Sequence, residues 1–353
     1  MSLPRRDQPF VTGSVDTPAG KVPQVSPQLT FLDRWGTFKV RCNVGRMSYK
    51  VDPGLYALGH PNAESAVLVT ANYKLTFDSL RSALAGRDLW ILVLDTKGIN
   101  VWCAAGKGTF GTQELVERIR ASGLEQVVDH RKLILPQLGA PGVAAHHVKK
   151  LAGFEVVYGP IQAADLPAFV DNGYKATLAM RRKTFPLRER AALIPVEFVS
   201  AFKWFLVIAL SFFILGGLLG KERFLASALD HGLFAALALF GALVAGAVLT
   251  PLLLPWLPGR AFSLKGLWLG LIWSGILVAL SYAGLGPWRG RIGVLSWVLM
   301  SPAVAAFLAM NFTGASTYTS LSGVRKEMKV AVPLQIVAAS VGLCIWIGSL
   351  VLD

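Results

Sequence analysis

Five apolar stretches in the second half of the sequence, at 202–220, 231–250, 264–285, 292–311 and 330–350, constrain the fold more than any other feature. Each is close to the ~20 residues that an α-helix needs to cross the hydrocarbon core. Lipid offers backbone N–H and C=O groups no partner, so an isolated apolar run satisfies them by coiling into a helix. The expectation is an all-α membrane domain of five transmembrane helices over 202–353, reached through a basic linker at 186–201. The first stretch starts far from Met1 and the others follow it closely, so no signal peptide is expected. Ionisable residues are almost absent from the stretches, with Asp230 and His231 near an edge, so no transport pathway is expected.

Lys and Arg in the connecting segments set the orientation. Eleven fall on the side that holds the first half of the chain, among them Arg181, Arg182, Lys183, Arg260, Lys265 and Arg325. Four fall on the other, namely Lys221, Arg223, Arg289 and Arg291. The positive-inside rule then predicts a multi-pass protein of the cytoplasmic membrane, with its N-terminal domain in the cytoplasm and Asp353 outside. The net charge of +14 needs no nucleic acid, because basic residues beside membrane spans favour anionic headgroups of the lipid bilayer. Trp204, Trp256 and Trp288 read as ordinary interfacial anchors, and Cys344 as packing within the last span.

The first half alternates strand and helix patterns. Strands are predicted at 66–70, 89–94, 132–135 and 155–158, and helices at 77–84, 113–121, 143–151 and 166–171. Such alternation implies an α/β, Rossmann-like domain at 31–185, with a parallel sheet and right-handed crossovers. Residues 1–30, rich in Pro, Gly, Ser and Thr, read as a flexible N-terminal tail.

Within this domain the octapeptide Asn100-Val101-Trp102-Cys103-Ala104-Ala105-Gly106-Lys107 places one thiol beside a Trp, after the apolar strand at 89–94 and before a helix. Open α/β sheets bind ligands beyond the carboxyl ends of their strands, which makes the segment a candidate site. Three readings stand side by side. Cys103 can be a small buried hydrophobe, because free Cys is among the most buried residue types. It can be a thiolate ligand to a soft metal centre. A nucleophile would need a His partner, and no spacing ties His130, His146 or His147 to it; His130 reads as structural. A separate alternative is a membrane-tethered dinucleotide-binding or sensor domain, because Gly106-Lys107-Gly108-Thr109-Phe110-Gly111 satisfies G-x-G-x-x-G, with Asp129 further on. Ten residues separate Asp95 from Gly106, whereas a dinucleotide turn follows its strand at once. The loops Thr70-Ala71-Asn72-Tyr73 and Leu135 to Gly142 are expected beside the same cleft, although Pro136, Gly139, Pro141 and Gly142 can equally be turn formers.

The octapeptide resembles, at all eight positions, the cap-helix signature of the HgcA family, the corrinoid proteins of bacterial and archaeal mercury methylation. The resemblance extends to the arrangement of a corrinoid-binding α/β domain followed by a membrane domain. The chain is similar, more distantly, to the large subunit of the corrinoid iron-sulfur protein of the acetyl-CoA pathway. What the resemblance implies is a corrinoid-dependent methyltransferase in which Cys103 is the lower axial ligand to the cobalt of cobalamin or a related corrinoid. Its cofactor-binding residues would be Asn100, Val101, Trp102, Cys103, Ala104, Ala105, Gly106 and Lys107, with Thr70, Asn72, Gln137, Gly139 and Ala140 from the neighbouring loops. Short Ala104, Ala105 and Gly106 would let a flat macrocycle approach the backbone, and Trp102 would be a packing anchor. The methyl group would pass to inorganic Hg(II), giving methylmercury. The implied partners are a methyl-donor methyltransferase of a folate pathway and a ferredoxin-like [4Fe-4S] electron donor of the HgcB type. With only Cys42, Cys103 and Cys344, no iron-sulfur cluster is expected in this chain.

Overall fold

The computed structural model describes residues 3–283, 293–315 and 321–352. The chain divides into two compact units, one of residues 1–40 and 44–183 and the other of residues 41–43 and 184–353. Trp288, Arg289 and Arg291 lie outside the described residues.

The first unit is built on a seven-stranded mixed sheet in the order β1-β2-β3-β5-β4-β6-β7. Its strands are β1 Val11–Thr17, β2 Gly20–Val25, β3 Gly54–Leu58, β4 Val67–Ala71, β5 Leu89–Leu94, β6 Lys132–Leu135 and β7 Glu155–Tyr158. The run β5-β4-β6-β7 is parallel throughout. Every residue of β4 and β5 is buried, which is why β5 reads as an uninterrupted apolar run and β4 as one broken only by Thr70: helices cover the two faces of a parallel sheet. Around it lie α1 Phe31–Arg41, α2 Lys74–Ala83, α3 Val101–Lys107, α4 Thr112–Ser122, α5 Leu124–Val127, α6 Ala145–Ala152 and α7 Leu166–Asp171. Strand alternation splits the core in two. Val69, Leu92 and Leu133 meet α3, α4 and α6 through Ala104, Leu115 and Val148. Leu68, Ile91 and Ile134 meet α2 and α7 through Phe77 and Phe169.

The flexible tail is a correction. Residues 11–25 form a hairpin in which Thr17 faces Gly20, and β2 pairs with β3 to extend the sheet. The polar residues that suggested disorder alternate with half-buried ones along β1, as an edge strand requires, and Pro18 sits in the turn. Three further elements, β3, α1 and α5, had no counterpart in the reading of the sequence. β3 antiparallel to β5 also makes the sheet mixed on that side.

The second unit contains α8 Leu187–Ala191, α9 Ile194–Leu219, α10 Phe224–Val244, α11 Thr250–Leu253, α12 Phe262–Tyr282, α13 Gly293–Asn311 and α14 Leu321–Leu352. Five helical segments, Leu187–Leu219, Phe224–Leu253, Phe262–Tyr282, Gly293–Asn311 and Ser322–Val351, are long and apolar enough to cross a membrane. The basic linker is thus largely helix: α8 occupies it and the first span begins well before 202. Close packing of α12 on α13 rests on small residues. A Cβ on Gly270 would fall 2.5 Å from Pro302 Cα, and one on Gly266 2.5 Å from the Ala305 carbonyl oxygen. A π-helical turn, Ala245–Leu249, precedes Pro251, whose ring nitrogen cannot donate to the preceding turn. Cys344 is exposed on its helix and not part of the packing.

Candidate cofactor site

Strand order reverses between β4 and β6, because β4 leads by way of α2 to β5 on one side, whereas the chain then returns through α3 and α4 to β6 on the other. The crevice outside the carboxyl ends of β4 and β6 is where doubly wound sheets take ligands. Three segments leave the sheet there: Asn72-Tyr73 after β4, residues 95–100 after β5, and the 3-10 turn Gln137–Gly142 after β6.

Asn72 organises the middle segment. Its side chain is buried, and its Oδ1 accepts from Thr96 N–H at 3.2 Å, Thr96 Oγ1 at 2.9 Å and Gly98 N–H at 2.9 Å. Its Nδ2 donates to Asp95 Oδ1 at 3.1 Å. All the polar capacity directed at the turn is consumed there, so Asn72, expected to contact a cofactor, instead holds the segment that launches α3. Burial works against the charge of Asp95, yet the hydrogen bonds and charge of Lys97 hold its carboxyl below the usual range. Glu114 Oε1 accepts from the Asp95 N–H at 2.8 Å, tying the first turn of α4 to the end of β5.

The octapeptide forms α3 with its cap. Asn100 is the N-cap, its Oδ1 accepting from Cys103 N–H at 2.9 Å, and Gly108 ends the helix in the left-handed region with its N–H on the carbonyls of Ala104 and Ala105. Helical spacing then divides the motif. Val101, Ala104 and Ala105 face inward and are buried. Trp102, Gly106 and Lys107 are exposed and Cys103 is half-buried, all on the outer side. Two expectations change as a result. Trp102, 36% exposed, is presented outward and is not a packing anchor. Ala104 and Ala105 are small because the core lies beneath them, and only Gly106, where a side chain would meet nothing within 4 Å, keeps the outer face bare. Cys103 as a fully buried hydrophobe is likewise excluded.

The 137–142 turn packs directly on α3. A Cβ on Gly142 would collide with the Phe110 carbonyl and come 3.1 Å from Ala105 Cα, while one on Gly139 would fall 2.5 Å from the Phe110 ring. These two glycines are therefore required by close approach, and Gln137 and Ala140 belong to the same rim; Gln137 Oε1 accepts from Arg181 at 3.1 Å. Thr70 does not join them. It alternates with Val69 and Ala71, which puts it on the α2 side of the sheet, away from α3. Phe110 and Glu114 were missed by sequence reasoning; the Gly111 N-cap followed by an acidic first turn was the available signal.

The structure disposes of the G-x-G-x-x-G match. Gly106 is inside a helix, not in the turn after a strand, and the exposed Asp129 precedes β6, at the opposite edge of the sheet. Both ring nitrogens of His130 are engaged, Nε2 with the Ser65 carbonyl at 2.9 Å and Nδ1 accepting from Lys132 N–H at 3.2 Å, in keeping with a structural role.

Fold and site together define a doubly wound α/β ligand-binding domain that presents one thiol at its switch point. Residues 43–170 match the family described as CO dehydrogenase/acetyl-CoA synthase delta subunit. The gamma subunit of the acetyl-CoA decarbonylase/synthase complex of Methanopyrus kandleri is 34% identical over 128 residues, 36% of this chain and 27% of that protein. The corresponding subunit of Archaeoglobus fulgidus is 29% identical over 143 residues, 39% of this chain and 30% of its own length. That of Methanothermobacter thermautotrophicus is 30% identical over 128 residues, 36% and 28%. The chain thus spans less than a third of the length of these relatives. The comparisons give it a distant similarity to the corrinoid protein family, whose members bind a cobalt corrinoid, and the similarity falls on the unit that carries α3.

Cys103 fits such a group. Among the described residues no three His, Cys, Asp or Glu side chains converge on a point where a bare ion could be held. A lone soft donor suits a metal that arrives with its other ligands already in place, and the bare backbone at Gly106 leaves room beside it.

Proposed function

We propose that this protein is a membrane-anchored corrinoid methyltransferase that hands a methyl group to inorganic Hg(II), and that Cys103 would be the residue that holds the cobalt. The observation that carries the reading is the half-exposed thiol of Cys103 on the outer side of α3, one helical turn or less from bare Gly106 and exposed Trp102, at the sheet's switch point. When bound, the corrinoid supplies a cobalt that can take up and release a methyl group. The chain's own residues do the rest. Asn100 caps the helix and fixes the backbone beneath Cys103, and Asn72 fixes the turn before it. Cys103 would supply a soft anionic sulfur donor to that group, a donor type that suits chemistry with a soft electrophile such as Hg(II). Gln137, Gly139 and Ala140 belong to the turn packed against α3, and exposed Trp102 would offer a flat apolar surface to the ligand.

The reading extends to partners and place. A methyltransferase of a folate pathway would load the methyl group, and a ferredoxin-like [4Fe-4S] protein would supply electrons, this chain having only three scattered Cys. The distribution of Lys and Arg supports a cytoplasmic corrinoid domain on the inner membrane, with the C-terminus outside.

The test is the absorption spectrum of the full chain reconstituted with cobalamin, set beside Cys103→Ala and Cys103→His, together with methylmercury production from Hg(II). Loss of the thiolate should shift the spectrum and abolish methylation, and His should restore ligation without restoring the rate. A Cys103→Ala protein with an unchanged spectrum and full methylation would refute the ligand assignment.

A further inference from the structure

α1 is amphipathic in the wrong sense for a helix that merely covers a core. Its inward residues are Asp33, Gly36 and Val40. Its outward ones include Phe31, Leu32, Trp35 and Phe38, which are 77%, 69%, 47% and 55% exposed, with the rings of Trp35 and Phe38 stacked 5.4 Å apart. What holds the helix in this attitude is ionic. Asp33 accepts from Arg81 Nη2 at 2.9 Å and from Lys74 Nζ, and its Oδ2 takes the Thr30 N–H and Oγ1 at 3.0 Å each. Asp78 binds the same two cations from α2. The charged residue is therefore spent on the interior, and the apolar face is left to the outside. Gly36 allows the approach, since a Cβ there would collide with the Tyr49 ring.

Charge identifies what this face meets. From Arg34 to Val51 the chain carries Arg34, Lys39, Arg41, Arg46 and Lys50 and no acidic residue. Large apolar and aromatic side chains flanked only by cations are what an interfacial helix needs to sink into the boundary of anionic headgroups and acyl chains. The same chain has five helices able to cross a membrane, so a bilayer is always within reach of its tether.

We propose that α1 is an interfacial helix that seats the α/β unit on an anionic lipid surface through Phe31, Leu32, Trp35 and Phe38, with Arg34 and Lys39 engaging headgroup phosphates. α1 is pinned to α2, which covers the sheet face opposite to α3, α4 and α6. Seating α1 on lipid therefore leaves the outer side of α3, with Cys103, free for soluble partners, and this orienting role is independent of what the site binds.

The experiment uses the full chain in nanodiscs of phosphatidylcholine, alone or mixed with phosphatidylglycerol. The photo-crosslinker p-benzoylphenylalanine replaces Trp35 in one protein and exposed Leu151 of α6, over the other sheet face, in a second. The position-35 probe should form lipid adducts, several-fold more with phosphatidylglycerol, and the combination Arg34→Glu with Lys39→Glu should remove that gain. The position-151 probe should form none. Crosslinking of position 35 to this chain itself, equal lipid labelling at 35 and 151, or labelling indifferent to lipid charge and to the two Glu substitutions would each overturn the proposal. Absence of any adduct would also do so, and would mark the face as one for a protein partner.

Discussion

Replacing Asn72 by Ala removes three acceptor contacts at once, but the structure says that only one donor is left stranded. Thr96 N–H keeps the Leu94 carbonyl at 3.0 Å, and Thr96 Oγ1 keeps the Ile99 carbonyl at 2.7 Å. Asp95 keeps both the backbone and the side chain of Lys97. The buried Gly98 N–H has no such second partner in the turn, and an orphaned buried donor costs about 1–3 kcal/mol. A local loss of about 2 kcal/mol raises the open fraction of the turn roughly 30-fold. Hydrogen exchange of the full chain should therefore accelerate by about that factor over residues 95–107, with β6 and β7 unchanged. Unchanged exchange over 95–107, or acceleration spread evenly over the whole unit, would refute the reasoning. Asn72→Asp separates the terms further. It keeps an acceptor for Gly98 but sets a carboxylate where an amide now donates to Asp95, 3.1 Å away. Like charges so close cannot both ionise without cost, so this variant should be nearest to wild type at low pH and loosen as pH rises through the carboxylate range.

Asn100→Ala should cost about 1 kcal/mol by uncapping Cys103 N–H and weaken cobalamin binding in a spectral titration, whereas Asn100→Asp retains the cap and should bind nearly as wild type. Gly142→Ala drives a Cβ into the Phe110 carbonyl and against Ala105, so it should lower the melting temperature through an overpacking loss of about 1–3 kcal/mol and loosen the wall beside α3. Trp102→Ala, at an exposed position, should change stability by less than about 0.5 kcal/mol while weakening corrinoid binding; an equal loss of both would return Trp102 to a packing role. Burial opposes the charge of Asp33, but Lys74, the Thr30 backbone and Arg81 hold its carboxyl well below the usual range. A depressed folded pKa means that the stabilisation is complete above about pH 4 and is lost as pH falls below it. An acid titration of unfolding should show this slope in wild type and lose it in Asp33→Asn.

Much of this protein is readable from local pattern. The parallel strands 89–94, 132–135 and 155–158 emerge at the expected residues: the first is covered on both faces and apolar throughout, and the other two are short apolar runs that open on an exposed Lys132 and Glu155. Five membrane-length helices follow from length and composition alone, since lipid forbids any other economy of backbone hydrogen bonds. The octapeptide was legible as a candidate site between a strand and a helix, but which of its residues face the core was not. Three things waited for the tertiary structure. The strand at 11–17 became order rather than tail only once the hairpin it forms with β2 found a partner in β3. Thr70 fell on the wrong face because its neighbours Val69 and Ala71 were drawn into the core beneath α3, a choice made by packing and invisible in a run where every residue is apolar or small. The outward aromatic face of α1 was set by Asp33, whose carboxylate is stable indoors only because Lys74 and Arg81, more than 40 positions away, come to meet it. Local sequence determines which segments coil or extend, because backbone and solvent act on neighbours; which face turns inward is decided by groups distant in the chain, because burial of a charge depends on what else arrives there.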